Sequence, residues 1–208
     1  GYTAQTFNGD YFSAVKRDFP NESFDQRYLD AGQNFGSING NRYYDALESA
    51  FGRVNYDFDQ RYLLTATFRA DGSSKFADGN KWGYFPAVSA GWRISNENFF
   101  NIPFVNDLKL TAGWGQLGNQ NVSSLQYLAL IGNVGQYSFG TTDVIGTAQR
   151  RLPNYNISWE TAEMSNIALS GEMFNRNLYF NINYFDKTTR NMLLAPPTLG
   201  TVGTLSIP

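Results

Sequence analysis

Apolar and polar residues alternate one by one through most of this chain, and that period constrains the fold more than any other feature. In Ala46–Phe58, Ala50, Gly52, Val54, Tyr56 and Phe58 fall on one side, and Ser49, Arg53, Asn55 and Asp57 on the other, with Phe51 the exception. In Arg61–Ala70, Tyr62, Leu64, Ala66 and Phe68 oppose Arg61, Thr65, Thr67 and Arg69. Successive strand residues point to opposite faces, so this period predicts strands, each with one apolar face. The polar stretch Asp57–Gln60 between the two runs predicts a hairpin.

The pattern recurs in Pro86–Ile94 and Leu108–Gly115, and again in the pair Ile167–Phe174 and Leu178–Phe185 around the turn Asn175–Asn177. A weaker strand is expected near Tyr2–Phe12. Together these make about seven strands and an all-β, antiparallel chain.

The composition removes several chemistries. The 208 residues contain no cysteine and no histidine, and the net charge is −2. Disulfides, thiolate nucleophiles, imidazole-ligated metals and Ser-His-Asp triads are excluded, and no basic face points to nucleic acid. No run of about 18 apolar residues is present, so no transmembrane helix is expected. A transmembrane barrel leaves no such run, because its strands alternate.

Two further features separate a barrel from a soluble sandwich. The connections sort by end. Asp57–Gln60, Ser95–Asp107 and Asn175–Asn177 are the shorter ones, while stretches near 13–45, 71–84, 116–157 and 188–208 are long, polar and glycine-rich, as external barrel loops are. The aromatics sort as well. Tyr56, Phe58 and Tyr62 flank a short turn, and Trp82, Tyr84 and Phe85 flank a long loop, as interfacial belts do. The expected architecture is an antiparallel segment of a large transmembrane β-barrel, a single partial domain over 1–208 forming an open curved sheet. The alternatives are a soluble β-sandwich that binds glycans through loop aromatics, and a segment of a passive porin.

The blocks "FGRVNYDFDQRYLLTATFRADGSSKF" (Phe51–Phe76), "KWGYFPAVSAGWRIS" (Lys81–Ser95), "LKLTAGWGQLGNQ" (Leu108–Gln120), "ISWETAEMSNIAL" (Ile157–Leu169) and "YFDKTTRNMLL" (Tyr184–Leu194) resemble consecutive barrel blocks of SusC/RagA-type TonB-linked outer-membrane transporters. The resemblance implies a barrel of the cell outer membrane that imports large nutrients such as oligosaccharides or peptides. It also implies an N-terminal plug, the TonB complex and a SusD-like surface lipoprotein as partners. None of these blocks matches the plug or the TonB segment, so the expectation is an internal slice of the barrel. No cofactor, metal or bond chemistry is expected.

Individual residues carry weaker signals. Glu160 and Glu163 lie three apart, which in a strand places them on opposite faces rather than across a glycosidase cleft. Asp71–Asn80 reads as a turn-rich loop, since it lacks the carboxylate spacing of a calcium site. "GQLGNQN" (Gly115–Asn121) lacks the lysine and helix of a phosphate cradle and reads as a strand-to-loop exit. Arg53, Arg61, Arg69, Arg93, Lys109 and Glu172 read as the charge network of a barrel lumen. Tyr127, Tyr137 and Tyr155, on external loops, are the expected ligand contacts, because binding residues concentrate on loops.

Overall fold

The computed structural model describes residues 1–21, 23, 24 and 28–194. Nine strands form in chain order: β1 (Tyr2–Arg17), β2 (Asn34–Phe58), β3 (Tyr62–Ser73), β4 (Trp82–Arg93), β5 (Val105–Asn119), β6 (Leu130–Phe139), β7 (Thr142–Arg151), β8 (Glu160–Met173) and β9 (Leu178–Arg190). Seven of them make one sheet in the order β1-β2-β3-β4-β5-β8-β9, and β6 and β7 pair separately. Every registered ladder is antiparallel. Among the described residues no helix is long and apolar enough to cross a membrane.

The chain divides into two compact units. Gln5–Ala46 form one; Gly1–Ala4 with the chain from Leu47 onward form the other. Within the smaller unit, Arg42 Nε meets Asp10 Oδ1 at 2.6 Å. Lys16 Nζ donates to the carbonyl of Gly32 at 3.1 Å, and Asn34 donates to Asp18. A one-turn 3-10 helix, Leu29–Ala31, lies between the strands. Strand residues therefore occupy 34–45, where the sequence reading puts loop. Residues 195–208, the end of the expected 188–208 loop, lie outside the described residues, and β9 itself runs through Arg190.

In the larger unit the register fixes the faces. Directly paired residues share a face. Leu64, Ala90, Ala112, Ile167 and Tyr184 form one continuous row, and Thr65, Ser89, Gly113, Asn166 and Phe185 form the adjacent row on the other face. Leu64, Ala66, Val88, Ala90, Leu110, Ala112, Phe180 and Ile182 thus share the apolar face. Thr65, Thr67, Ser89, Thr111, Asn181 and Asn183 share the polar one, as the alternation predicts.

Exposure runs against the rule for water-soluble proteins. In β3, Tyr62, Leu64, Ala66 and Phe68 are the exposed set, and Leu63, Thr65, Thr67 and Arg69 are half-buried. β4 repeats this: Val88 and Ala90 are exposed, while Ala87, Ser89 and Gly91 are half-buried. Val54 is 68% exposed, Ile182 66% and Tyr184 74%. A sandwich needs a second sheet on this apolar face. Among the described residues the only other sheet is the β6–β7 hairpin. The sandwich alternative is therefore set aside.

Both ends of the sheet follow from the pairing. The β2–β3, β4–β5 and β8–β9 connections share one end, and β3–β4 and β5–β8 share the other. At the first end, Phe58 stacks on Tyr62 at 6.4 Å and Phe104 on Phe174 at 5.8 Å. At the second, Phe68 stacks on Tyr84 at 6.2 Å, and the Trp82 ring covers Gly72. Phe85 departs from the expected belt. It has the parity of Ala87 and Ser89, turns to the other face and is 5% exposed. The tip of its ring lies against Gly83 and Gly118, where a Cβ has no room.

Candidate functional site

At the end with the longer connections, the loops are tied together by an aromatic core. Phe76, Phe85, Ile157 and Trp159 are its buried members, with Leu47, Val122, Tyr127 and Leu193 packed around them. Trp159 meets Phe76 at 5.3 Å and the edge of Phe85 at 5.4 Å. Its indole Nε1 donates to the carbonyl of Lys81 at 2.9 Å. In the β3–β4 loop, Gly79 takes a φ of 94°, a left-handed conformation that glycine adopts without strain. The turn closes with Asn80 N donating to Ala77 O at 3.0 Å. The Asn80 side chain reaches Tyr155 O at 2.8 Å, joining this loop to the β5–β8 connection.

That connection contains β6 and β7, two strands inside the stretch 116–157 that the sequence reading leaves as loop. Arg151 braces the approach to them, donating to the carbonyls of Leu125 and Leu128 and to Gln126 Oε1.

Beside the core opens a cleft of about 440 Å³ lined by Asn121, Ser123, Gln126, Asn154, Asn156, Ser158 and Asn191. Val122, Ile157 and Met192–Leu194 supply its apolar surface. Of the three expected tyrosines, Tyr127 and Tyr155 come together with ring centres 6.1 Å apart. Tyr137 is elsewhere, on β6, with its ring over Gly146. None of the three lines the cleft itself. The asparagines were missed because "GNQN" and "NYNIS" carry no periodic signal.

The carboxylates singled out in the sequence hold structure together. Glu160 accepts from Asn119 Nδ2 and from the backbone N–H of Leu193. Glu163 accepts from Trp114 Nε1 and Gln116 Nε2. On the polar face Arg69 pairs with Asp71 at 2.8 Å and also lies over the Phe51 ring at 5.6 Å, which accounts for the one break in the β2 alternation. Arg93 pairs with Asp107, and Arg176 with Glu172. Arg53 and Lys187 line a trough on this face, floored by small residues such as Ala87, Ser89 and Gly113.

At the other end, Glu97 anchors the aromatic belt. It accepts from Tyr62 OH at 2.7 Å and Trp92 Nε1 at 2.8 Å, with Arg61 Nη1 at 3.8 Å. The Tyr62 hydrogen bond, then that of Trp92, holds its carboxyl below the ordinary value of 4.5 despite some desolvation. A lowered folded pKa contributes stability above the unfolded value, and that contribution is lost as pH falls through the folded one. Acidification below 4.5 should therefore lower the melting temperature of the full-length protein more than that of its Glu97→Gln variant. Equal slopes in a thermal scan series contradict this.

The family model for TonB dependent receptor-like β-barrels matches residues 1–206. The chain belongs to that family. It is a family of receptors and transporters, not of enzymes, and membership sets aside the passive porin. The TonB-dependent receptor SusC of Bacteroides thetaiotaomicron is 40% identical over 150 residues, covering 69% of this chain and 15% of that protein. TonB-dependent receptor P39 of Formosa agariphila is 37% identical over 153 residues, covering 73% and 14%. The solved structure of the RagAB peptide transporter superposes with a TM-score of 0.83 at 25% identity, over 99% of this chain and 22% of that one. These matches make it a TonB-dependent receptor barrel of the SusC/RagA type. It spans about one-seventh of the length of the curated relatives it matches.

Proposed function

We propose that this chain is part of the wall of a TonB-dependent importer in the cell outer membrane, which takes up large nutrients such as oligosaccharides or peptides. The observation that carries this reading is the inverted exposure of β3 and β4, apolar side chains outermost and polar ones half-buried. That arrangement suits lipid on one side and a wet lumen on the other. Trp82 and Trp92 bound the apolar face of β4. Ten residues at ~3.3 Å each, tilted by ~45°, give a height of about 23 Å, close to the apolar band of such barrels. A SusD-type surface lipoprotein captures the cargo, the loop end receives it, and energy passed through TonB releases it inward. Similarity to SusC and to the RagAB transporter supports these partners. The long connections near 71–84 and 116–157 then face outward.

Cysteines introduced at Ser74 and Asp59 of the full-length transporter test the orientation. On intact cells a membrane-impermeant maleimide should label the Ser74 site and spare the Asp59 site. Equal labelling, or labelling at Asp59 alone, would falsify it.

A further inference from the structure

We propose that the groove on the apolar face of β3, β4 and β5 is a binding site for one acyl chain of a phospholipid with an amine headgroup. This rests on reading the sheet as membrane wall, and adds a resident lipid to it. The first argument is shape. In the row Tyr56, Leu64, Ala90, Ala112 and Ile167, only the two alanines are small. The next row on one side brings Trp92 and Leu110 beside them, and the next on the other side brings Val88 and Trp114. The result is a groove of about 420 Å³ floored by two methyl groups, with Tyr56, Tyr62, Leu64 and Trp92 among its walls.

The second argument is chemistry. Every side chain lining the groove is aliphatic or aromatic, and none is charged. An empty slot between apolar walls forfeits dispersion contacts. On a face that meets lipid, an acyl chain restores them.

The third argument is preorganisation. Tyr62 OH and Trp92 Nε1 both donate to Glu97, at 2.7 and 2.8 Å. Two walls are therefore held upright before a chain enters, and no ordering of their rotamers opposes binding.

The fourth argument is charge at the mouth. Tyr62 and Trp92 place one end of the groove beside the β2–β3 turn, where Arg61 is already engaged. It meets Asp59 at 3.2 Å, Glu97 at 3.8 Å and Asn98 Oδ1 at 3.2 Å. Arg93, the next cation, pairs with Asp107. Two carboxylates thus face one guanidinium, and Asp59 is exposed. Anionic headgroups are held by clusters of basic side chains, and this mouth has the opposite sign. An ammonium headgroup gives the surplus carboxylate a partner.

The test uses the full-length transporter, stripped of native lipid in detergent, and native mass spectrometry. The probes are dioleoyl phosphatidylethanolamine and dioleoyl phosphatidylglycerol. One phosphatidylethanolamine should stay bound, preferred over phosphatidylglycerol by about fivefold, the effect of one charge at a membrane surface. Ala112→Phe and Ala90→Leu fill the groove and should each lose the lipid. Ala66→Phe, in the adjoining row and outside the groove, should keep it. Asp59→Asn should remove the headgroup preference and leave the chain bound. Asparagine tolerates the left-handed backbone of that position, where φ is 53°. Three results each overturn the proposal: no lipid retained by the wild type, unchanged retention in both alanine variants, and equal retention of the two phospholipids by the wild type. Heat-modifiable gel mobility confirms that each variant assembles, and the two alanines lie on different strands, so one misassembled variant leaves the other decisive. Flotation with phosphatidylcholine vesicles separates the readings. Protein that inserts but retains no lipid removes the groove and leaves the membrane wall. Protein that does not insert removes both.

Discussion

Val88→Arg should destabilise the full-length barrel in lipid vesicles by about 2–4 kcal/mol, the cost of a cation near the bilayer midplane. Val88 lies on the apolar face, paired with Ala66 and Trp114, midway along β4 between Tyr84 and Trp92. Its direct row neighbours, Ala66 and Trp114, carry no charge, and an arginine there is too deep to reach water without thinning the bilayer. Ser89→Arg is the control. One residue along, it faces the trough between Thr65 and Gly113, and its cost should stay within about 0.5 kcal/mol. Denaturant titration in vesicles measures both. Equal costs, or the larger cost at Ser89, would reverse the assignment of faces.

Trp159→Ala should loosen the whole loop end while the barrel still assembles. Removing a buried tryptophan costs about 3–5 kcal/mol. Here it also takes away the contacts with Phe76 and Phe85 and one of the two donors to the Lys81 carbonyl, which keeps only the Ser73 N–H. Gly118→Val reaches the same core from the other side, since a side chain there occupies the place of the Phe85 ring. Both variants should show normal heat-modifiable mobility, rapid proteolysis within 71–81 and 120–159, and loss of cargo uptake. Wild-type protease resistance in both would mean that the core does not hold the loops.

The strands of the larger unit were legible because one face of each meets a different medium from the other, and a period of two records that directly. Where the ladder is irregular the record fails. In β6 the register shifts between Leu130 and Ile131 and again between Asn133 and Gly135, so the apolar residues change parity within one strand. The same segment therefore reads as loop. The 34–45 stretch was hidden for a different reason: "NFGSINGNRYYD" mixes glycine and asparagine with its aromatics, a composition that suits turns as well as strands. Phe85 was misplaced because adjacency to Trp82 and Tyr84 outweighed its odd position, although parity alone puts it with Ala87. The cleft was illegible in principle. Its polar residues come from three separated loop segments, and only the Phe76–Trp159 core brings them together.

The two indoles held by glutamates, Trp92 by Glu97 and Trp114 by Glu163, bear on the surrounding lipid as well as on the protein. A tryptophan free to rotate lets a barrel adjust its apolar height to the bilayer it meets. One whose N–H is committed to a carboxylate cannot follow. Thickness mismatch must then be absorbed by the acyl chains, at a fraction of a kcal/mol for each ångström. On the importer reading, lipids beside β4, β5 and β8 should be compressed or stretched to fit, so that this stretch of wall imposes its own thickness on the leaflets that touch it.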